Sequence, residues 1–462
     1  MYEFYGCYHH SHCGDNEDPV EWRKTLDREE KLRNLGYNVV SITNCMWQAY
    51  PASMDTYPVS QTPCSLADMI SGVMSDESFG FVKCDFHTPE HLIPKFSEFP
   101  VIFKNVEIPI SEIGDHMQEF CRKTTRKCGV KRSLISSLHG KGVVIMTPLF
   151  KKYIELGLIC TDIEWVMEYT PKRVFSWFVD SVRNTRRMAD LFPSWKIRGQ
   201  TAKTKGNATV KITMMDKSRH TSVKFCTENN IDSYIKDPFF KTMESLDGGI
   251  YEVEKTKKTV RIDTAIQIGI SVYSYAKLQL ICFWEFLNKY LDNDKYQLME
   301  TDTDSLYIAL AADLDDCVKE GLQEEWFREK YKFFSSDSQE LVEFGGQTIT
   351  MQQYDSRTPG LFKEEYTGLG IICLNSKVYH AWSKKDSKTS AKGMMERRNK
   401  LLKEDFLEMI ENPLIKHTVT NAGFIRDGTD IKTYTQTKAG LGYFYDKRKV
   451  LADGVTTTHL DI

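Results

Sequence analysis

The chain has 462 residues, 41% hydrophobic and 27% charged, which is ordinary globular usage and enough for two or three cores. This excludes disorder, collagen and coiled coil as the main state, and no run of about 18 apolar residues offers a membrane span. Lys plus Arg total 61 against 64 Asp plus Glu, so the net charge of −3 gives no global basic field. The start, MYEFYGCYHH, lacks the basic-then-apolar pattern of a signal peptide, and the expectation is an intracellular, soluble chain.

Residues 1–50 read as a small α/β unit: a strand-like start, a His/Cys cluster, a charged helical stretch (Trp22 to Leu35) and a second strand (Tyr37 to Ile42). A strand at residue 2 with no lead-in suggests that the unit's first elements are missing. Residues 51–74 are expected as a linker, with Pro, Ser and Thr concentrated in 51–66. Strands are expected at Phe79 to Phe86, Gly142 to Met146 and Leu158 to Tyr169, with a helix at Pro148 to Gly157 begun by Thr147 and Pro148. Phe178 to Leu191 and Ser271 to Leu291 read as amphipathic helices. Lys295 to Glu300 and Ser305 to Leu310 read as strands bracketing Thr301-Asp302-Thr303-Asp304. Three short strands are expected in 340–380 and a helix in 402–411. The fold class expected is α+β.

Charge is uneven along the chain. Basic residues gather in 122–132, 183–205 and 384–403, while 302–325 is acidic, a distribution that suits a phosphate track leading to a cation site. The twelve cysteines are spread too widely for a disulfide framework and fit a reducing compartment, most as small buried hydrophobes.

The informative segment is Glu300-Thr-Asp-Thr-Asp-Ser305. Two acids two residues apart at the tip of a rigid hairpin project toward one spot, and their repulsion is best relieved by a divalent cation. Mg2+ suits them, since it takes a few carboxylates together with phosphate and water oxygens. On this logic Asp302 and Asp304 are metal ligands and catalytic residues for two-metal phosphoryl transfer.

Asp302-Thr303-Asp304-Ser305 between strands resembles motif C of family B DNA polymerases. GNATVKITMMDKSRH (Gly206 to His220), preceded by Lys203, is similar to the family's motif B helix, KxxxNSxYG, and Asn375-Ser376-Lys377-Val378-Tyr379 resembles the KxY element before the thumb. FGFVKCDFHTPEHLIPKFSEFPVIFKN, TPLFKKYIELGL and the ending YFYDKRKVLADGVTTTHLDI resemble the protein-primed branch of viruses, linear plasmids and Polinton (Maverick) transposons. The resemblance covers roughly 75–462. It implies a palm and fingers-like region in 75–340, a thumb-like region in 341–462, and DNA-directed DNA polymerase activity on primer-template DNA with dNTP, with a terminal protein as a candidate primer. Lys203 would meet the triphosphate, with Asn207 on the same helical face. Lys377 and Tyr379, two apart on a strand, would hold the primer strand.

The departures imply impaired activity. Ala208, Val210 and Lys211 replace the family's Ser, Tyr and Gly, removing the ring that floors the nucleotide and the close backbone approach. Where the family has DxxSLYP, the chain has Cys45-Met46-Trp47-Gln48-Ala49-Tyr50-Pro51, and Cys45 is a soft replacement for a hard Mg2+ ligand. Asp85 stands as a candidate substitute. A catalytically inactive nucleic-acid-binding remnant is therefore the alternative. Gly6-Cys7-Tyr8-His9-His10-Ser11-His12-Cys13, with LGYNVVSITNC, is similar to very-short-patch repair endonucleases, implying a truncated restriction-endonuclease-like unit. Cys7, His10, His12, Cys13 and Cys45 there are Zn2+-competent, a metal-free packed remnant being the open alternative.

Overall fold

The computed structural model describes residues 2–5, 40–43, 65–124, 131–171, 175–260, 264–302, 304–395, 398–415, 417–428 and 430–462. The His/Cys cluster and Cys45 to Pro51 lie outside them. Strand β1 (Tyr2–Tyr5) pairs in parallel with β2 (Val40–Thr43).

Helix α1 (Leu66–Met74) falls inside the stretch expected as linker. Ser65 starts it with a capping box: its hydroxyl accepts from the Asp68 amide and its own amide donates to the Asp68 carboxylate. Val73, fully buried, fixes it to the core, so the linker character ends before this capped turn.

Next come β3 (Gly80–His87), a single-turn α2 (Ile93–Phe96), β4 (Ile102–Ile108), α3 (Asp115–Thr124), β5 (Lys131–Ser137), β6 (His139–Met146), α4 (Thr147–Glu155) and β7 (Ile159–Glu168). Strand β3 is central in an antiparallel sheet ordered β6-β3-β7, and its Phe81, Val82, Cys84 and Phe86 are all buried. Strands β4 and β5 form a separate antiparallel pair.

Helices α5 (Ser176–Leu191) and α6 (Lys196–Thr213) make an antiparallel helical hairpin through Pro193-Ser194-Trp195. They touch closely at Gly199, where a Cβ would fall 2.3 Å from that of Ala189. The motif B-like helix ends at Thr213 rather than running through to His220, because Asp216 caps a separate turn by accepting from the Ser218 amide. Then follow β8 (Thr221–Thr227), α7 (Glu228–Ile235), β9 (Phe240–Leu246) and β10 (Ile250–Thr256), a small antiparallel sheet ordered β8-β10-β9.

The 25-residue α8 (Ile266–Tyr290), about 37 Å long, drives Leu280, Phe283, Trp284 and Leu287 into the first core. Its partners there include β3, α4 and the strands β11 (Tyr296–Asp302) and β12 (Ser305–Leu310). Beyond lie α9 (Gln323–Glu329), β13 (Leu341–Phe344), β14 (Gln347–Thr350) and α10 (Met351–Asp355). A sheet ordered β15-β16-β17 follows, formed by β15 (Gly370–Asn375), β16 (Val378–Trp382) and β17 (Ser387–Ala391). The region 340–380 thus holds four strands and a short helix instead of three strands.

Helix α11 (Lys403–Glu411) precedes a hairpin of ten-residue strands, β18 (Thr418–Asp427) and β19 (Asp430–Ala439), and the chain closes with β20 (Lys449–Val450) and β21 (Thr457–Thr458). Near the hairpin tip Arg426 forms an ion pair at 2.7 Å with Glu252 of β10.

The molecule is α+β, built from small, mainly antiparallel sheets and helices. A second core joins Ile108, Met117, Phe120 and Ile135 to Ile372, Leu374, Phe406, Leu441 and Leu460. Residues on β4, α3 and β5 thus share a core with residues of the C-terminal region. Cys121 is disulfide-bonded, a departure from the reduced state expected, whereas Cys84, Cys160, Cys226, Cys282, Cys317 and Cys373 are free thiols. No helix among the described residues is long and apolar enough to cross a membrane.

Candidate active site

The β11–β12 hairpin is bedded through Tyr296, Leu298, Leu306 and Ile308, which pack on the first core and fix where its tip points. The strands pair from Tyr296↔Leu310 to Asp302↔Ser305, with an irregularity between Leu298 and Glu300. The turn is tight: the Asp304 amide donates to the Asp302 carbonyl at 2.5 Å, and the Ser305 hydroxyl donates to the same oxygen at 3.2 Å.

Asp302 and Asp304 do not share an environment. The Asp302 side chain is 27% exposed and its Oδ2 accepts from the Lys377 ammonium at 2.7 Å, whereas Asp304 is exposed on the turn. The hydrogen bond it donates to Asp302 holds the Lys377 ammonium above the ordinary lysine range, and the charges of Asp304 and Glu300 add to it. Three carboxylates therefore act on one cation.

Lys377 lies in the turn between β15 and β16 rather than on a strand, with a left-handed φ of +65°. That conformation is unusual for a residue with a side chain. It goes with the Lys377 amide donating to Glu300 Oε1 at 2.9 Å while the side chain reaches Asp302. Tyr379 sits on β16, the central strand of its sheet. It is 7% exposed, and its hydroxyl accepts from Tyr307 of β12 at 2.7 Å with the rings 4.7 Å apart. Burial, and then that hydrogen bond, push the Tyr379 phenol up. So the KxY-like element meets the carboxylate hairpin at two points, but not through two side chains of one strand face.

Glu300 is the residue that sequence reasoning passed over. Its Oε2 is buried and has no hydrogen-bond partner among the described residues. Burial pushes its carboxyl above the usual range, against the pull of the Lys377 amide. The Cys373 thiol beside it is pushed up by burial and by the carboxylate, and Tyr445 is pushed up to about 12, chiefly by burial. The available signal was spacing: Glu300 is two residues before Asp302, on the same face of a strand.

The other expected residues stand apart. Lys203 and Asn207 are four apart and exposed on α6, and neither side chain makes a hydrogen bond or ion pair among the described residues. Asp85 accepts from the Gly142 amide at 2.6 Å and lies where β3 pairs irregularly with both neighbours, which is a structural task.

Among the described residues no cluster of three His, Cys, Asp or Glu side chains is arranged to hold a metal. The oxygens of Asp302 and Asp304 are hard donors that suit Mg2+, an ion often held by only one or two carboxylates with substrate phosphates. They fit that ion in kind, with the Lys377 ammonium as its competitor at Asp302. Comparison of the chain with protein-family models, with curated proteins and with solved structures finds no match in any of the three.

Proposed function

We propose that the chain is a DNA-directed DNA polymerase of the protein-primed family B kind, acting in replication of a viral or transposon-like element with impaired activity. The observation that carries this reading is the double contact between the hairpin and the Lys377–Tyr379 element. The partners lie 75 residues apart for Lys377 with Asp302 and 72 for Tyr379 with Tyr307. Two segments that resemble separate elements of one family, and that have to act at one primer terminus, are in contact.

In this reading a primer 3′-oxygen forms a bond to the α-phosphorus of a dNTP, and the α–β bridging bond breaks to release pyrophosphate. Asp302 and Asp304 would hold Mg2+, which when bound lowers the pKa of the attacking hydroxyl and stabilises the leaving oxygens. Lys377 would exchange Asp302 for a backbone phosphate of the primer, while Tyr379, packed on Tyr307, sets the wall beside it. Lys203 and Asn207, both free to meet solvent, would contact the incoming triphosphate.

A second reading, an inert nucleic-acid-binding remnant, is favoured by two observations. The Lys377 ammonium already neutralises Asp302, and Asp85, the candidate substitute for the missing motif A acid, is engaged by the Gly142 amide. Primer extension with Mg2+ and with Mn2+ separates the readings. Slow incorporation that disappears in the Asp302→Ala, Asp304→Ala double variant supports the polymerase. Incorporation no higher than in that variant, with salt-sensitive binding of primer-template DNA intact, supports the remnant.

A further inference from the structure

The α5 helix and the β14–α10 segment enclose a cleft of about 200 Å³ whose lining includes Arg187, Asp190, Gln353, Ser356, Arg357 and Lys363. Three cationic side chains face one carboxylate. That carboxylate is taken: Arg357 holds Asp190 through Nε and Nη2 at 2.7 and 2.8 Å, a two-point pair. Lys363 lies 3.5 Å from Glu365 and its side chain is 43% exposed, so its ammonium is free to turn.

Arg187 is the unusual member. It is 2% exposed, yet it forms no salt bridge among the described residues. Its nearest partners are neutral: Nε donates to the Tyr354 carbonyl at 2.9 Å, Nη2 to the Thr358 hydroxyl at 2.9 Å, and the guanidinium lies 3.7 Å from the centre of the Tyr354 ring. Its Nη1 is buried and has no acceptor among the described residues. The closest acid, Asp355, is occupied by Thr358 and by the Ser336 amide. A buried guanidinium with a spare donor and no ion-pair partner among the described residues carries a desolvation cost that an anion would offset. Burial, with the like charge of Arg183 nearby, pulls the Arg187 guanidinium below its usual range, against the contacts with Tyr354 and the charge of Asp355.

We propose that this cleft is a phosphate-binding site, in which Arg187, pre-oriented by its stack on Tyr354, supplies its unpartnered Nη1 donor and Arg357 and Lys363 the surrounding charge. A charge-assisted hydrogen bond from a guanidinium to a phosphate oxygen is a strong one, and a guanidinium already held by three neutral contacts loses little freedom on binding. The phosphate can come from a free anion, from a nucleoside triphosphate or from a nucleic-acid backbone.

The test uses the full chain without divalent metal, so that no turnover is needed and the outcome does not depend on the polymerase reading. Inorganic phosphate, dTTP and a twelve-residue oligo-dT are titrated separately by calorimetry, against wild type, Lys363→Gln and Arg187→Lys. Lys363→Gln alters an exposed side chain and keeps the fold. Binding of at least one probe is expected, weakened about threefold or more by Lys363→Gln and about tenfold or more by Arg187→Lys, the scale of a lost charge-assisted contact. The strongest probe identifies the source. No binding of any probe, or binding that Lys363→Gln leaves unchanged, overturns the proposal. A misfolded Arg187→Lys leaves the decision with Lys363→Gln.

Discussion

Glu300→Gln is the most informative single change outside the acid pair. In the wild type, burial raises the Glu300 carboxyl while Oε1 accepts from the Lys377 amide and Oε2 has no hydrogen-bond partner among the described residues. Replacing the carboxylate by an amide keeps an acceptor for the Lys377 amide and removes a buried charge. Relief of the unpartnered charged oxygen is worth about 1–3 kcal/mol, and weakening the charge-assisted bond to that amide costs about 1 kcal/mol. The variant should therefore be more stable at pH 8 by about 1 kcal/mol. The sign with pH follows from the raised carboxyl. Between the unfolded and folded pKa values the native state holds the proton that the unfolded state has released, so wild-type stability falls as pH rises through that window and then levels. The advantage of Glu300→Gln should be small at pH 4.5 and full at pH 8. Urea unfolding of both proteins at the two pH values, with equal m-values, measures it. A variant less stable than wild type at pH 8, or a difference that does not change with pH, refutes the reasoning.

Lys377→Gly should be more stable than Lys377→Ala by about 1 kcal/mol, because both lose the ion pair but only glycine adopts φ +65° without strain; equal unfolding midpoints would count against the turn geometry. Tyr379→Phe should cost about 1 kcal/mol by leaving the Tyr307 hydroxyl without its acceptor, and the pair of changes Tyr379→Phe with Tyr307→Phe should cost less than the sum of the single ones; additive costs in the double-mutant cycle would deny the contact. Gly199→Ala should destabilise the α5–α6 hairpin by about 1–2 kcal/mol, since overpacking exceeds the gain in helix propensity, and adding Ala189→Gly should restore most of it in thermal unfolding; a neutral single variant argues against the close approach.

What the sequence disclosed was what local periodicity encodes. Strand β3, with its run of buried Phe81, Val82, Cys84 and Phe86, and α8, with Phe283, Trp284 and Leu287 on its core-facing side, are legible because burial writes an apolar pattern into the chain. The β11–β12 hairpin was legible for the same reason. Strand β19 was not: all ten of its residues are exposed, so no core imposed a pattern on YTQTK. The left-handed position itself is a lysine rather than the usual Gly or Asn, and this moved Lys377 off the strand on which it was expected. Glu300 was hidden by attention to the neighbouring acid pair. The union of Ile108, Met117, Phe120 and Ile135 with the C-terminal region depends on long-range packing, which no local window contains. The departures at Ala208, Val210 and Lys211 were plain in the sequence, but what they do to substrate contact is decided by surroundings that the helix alone does not specify.

The β18–β19 hairpin is an arm about 33 Å long, with Phe424 and Ile431 largely uncovered, whose tip is joined to the β8-β10-β9 sheet through Arg426 and Glu252. The Arg426 side chain is 43% exposed, and dissolved ions screen such charges over about 8 Å at physiological ionic strength. The arm is thus fastened by a clasp whose grip depends on the surrounding salt: tight in dilute buffer, slack in brine, with the root of the hairpin keeping its place in either case.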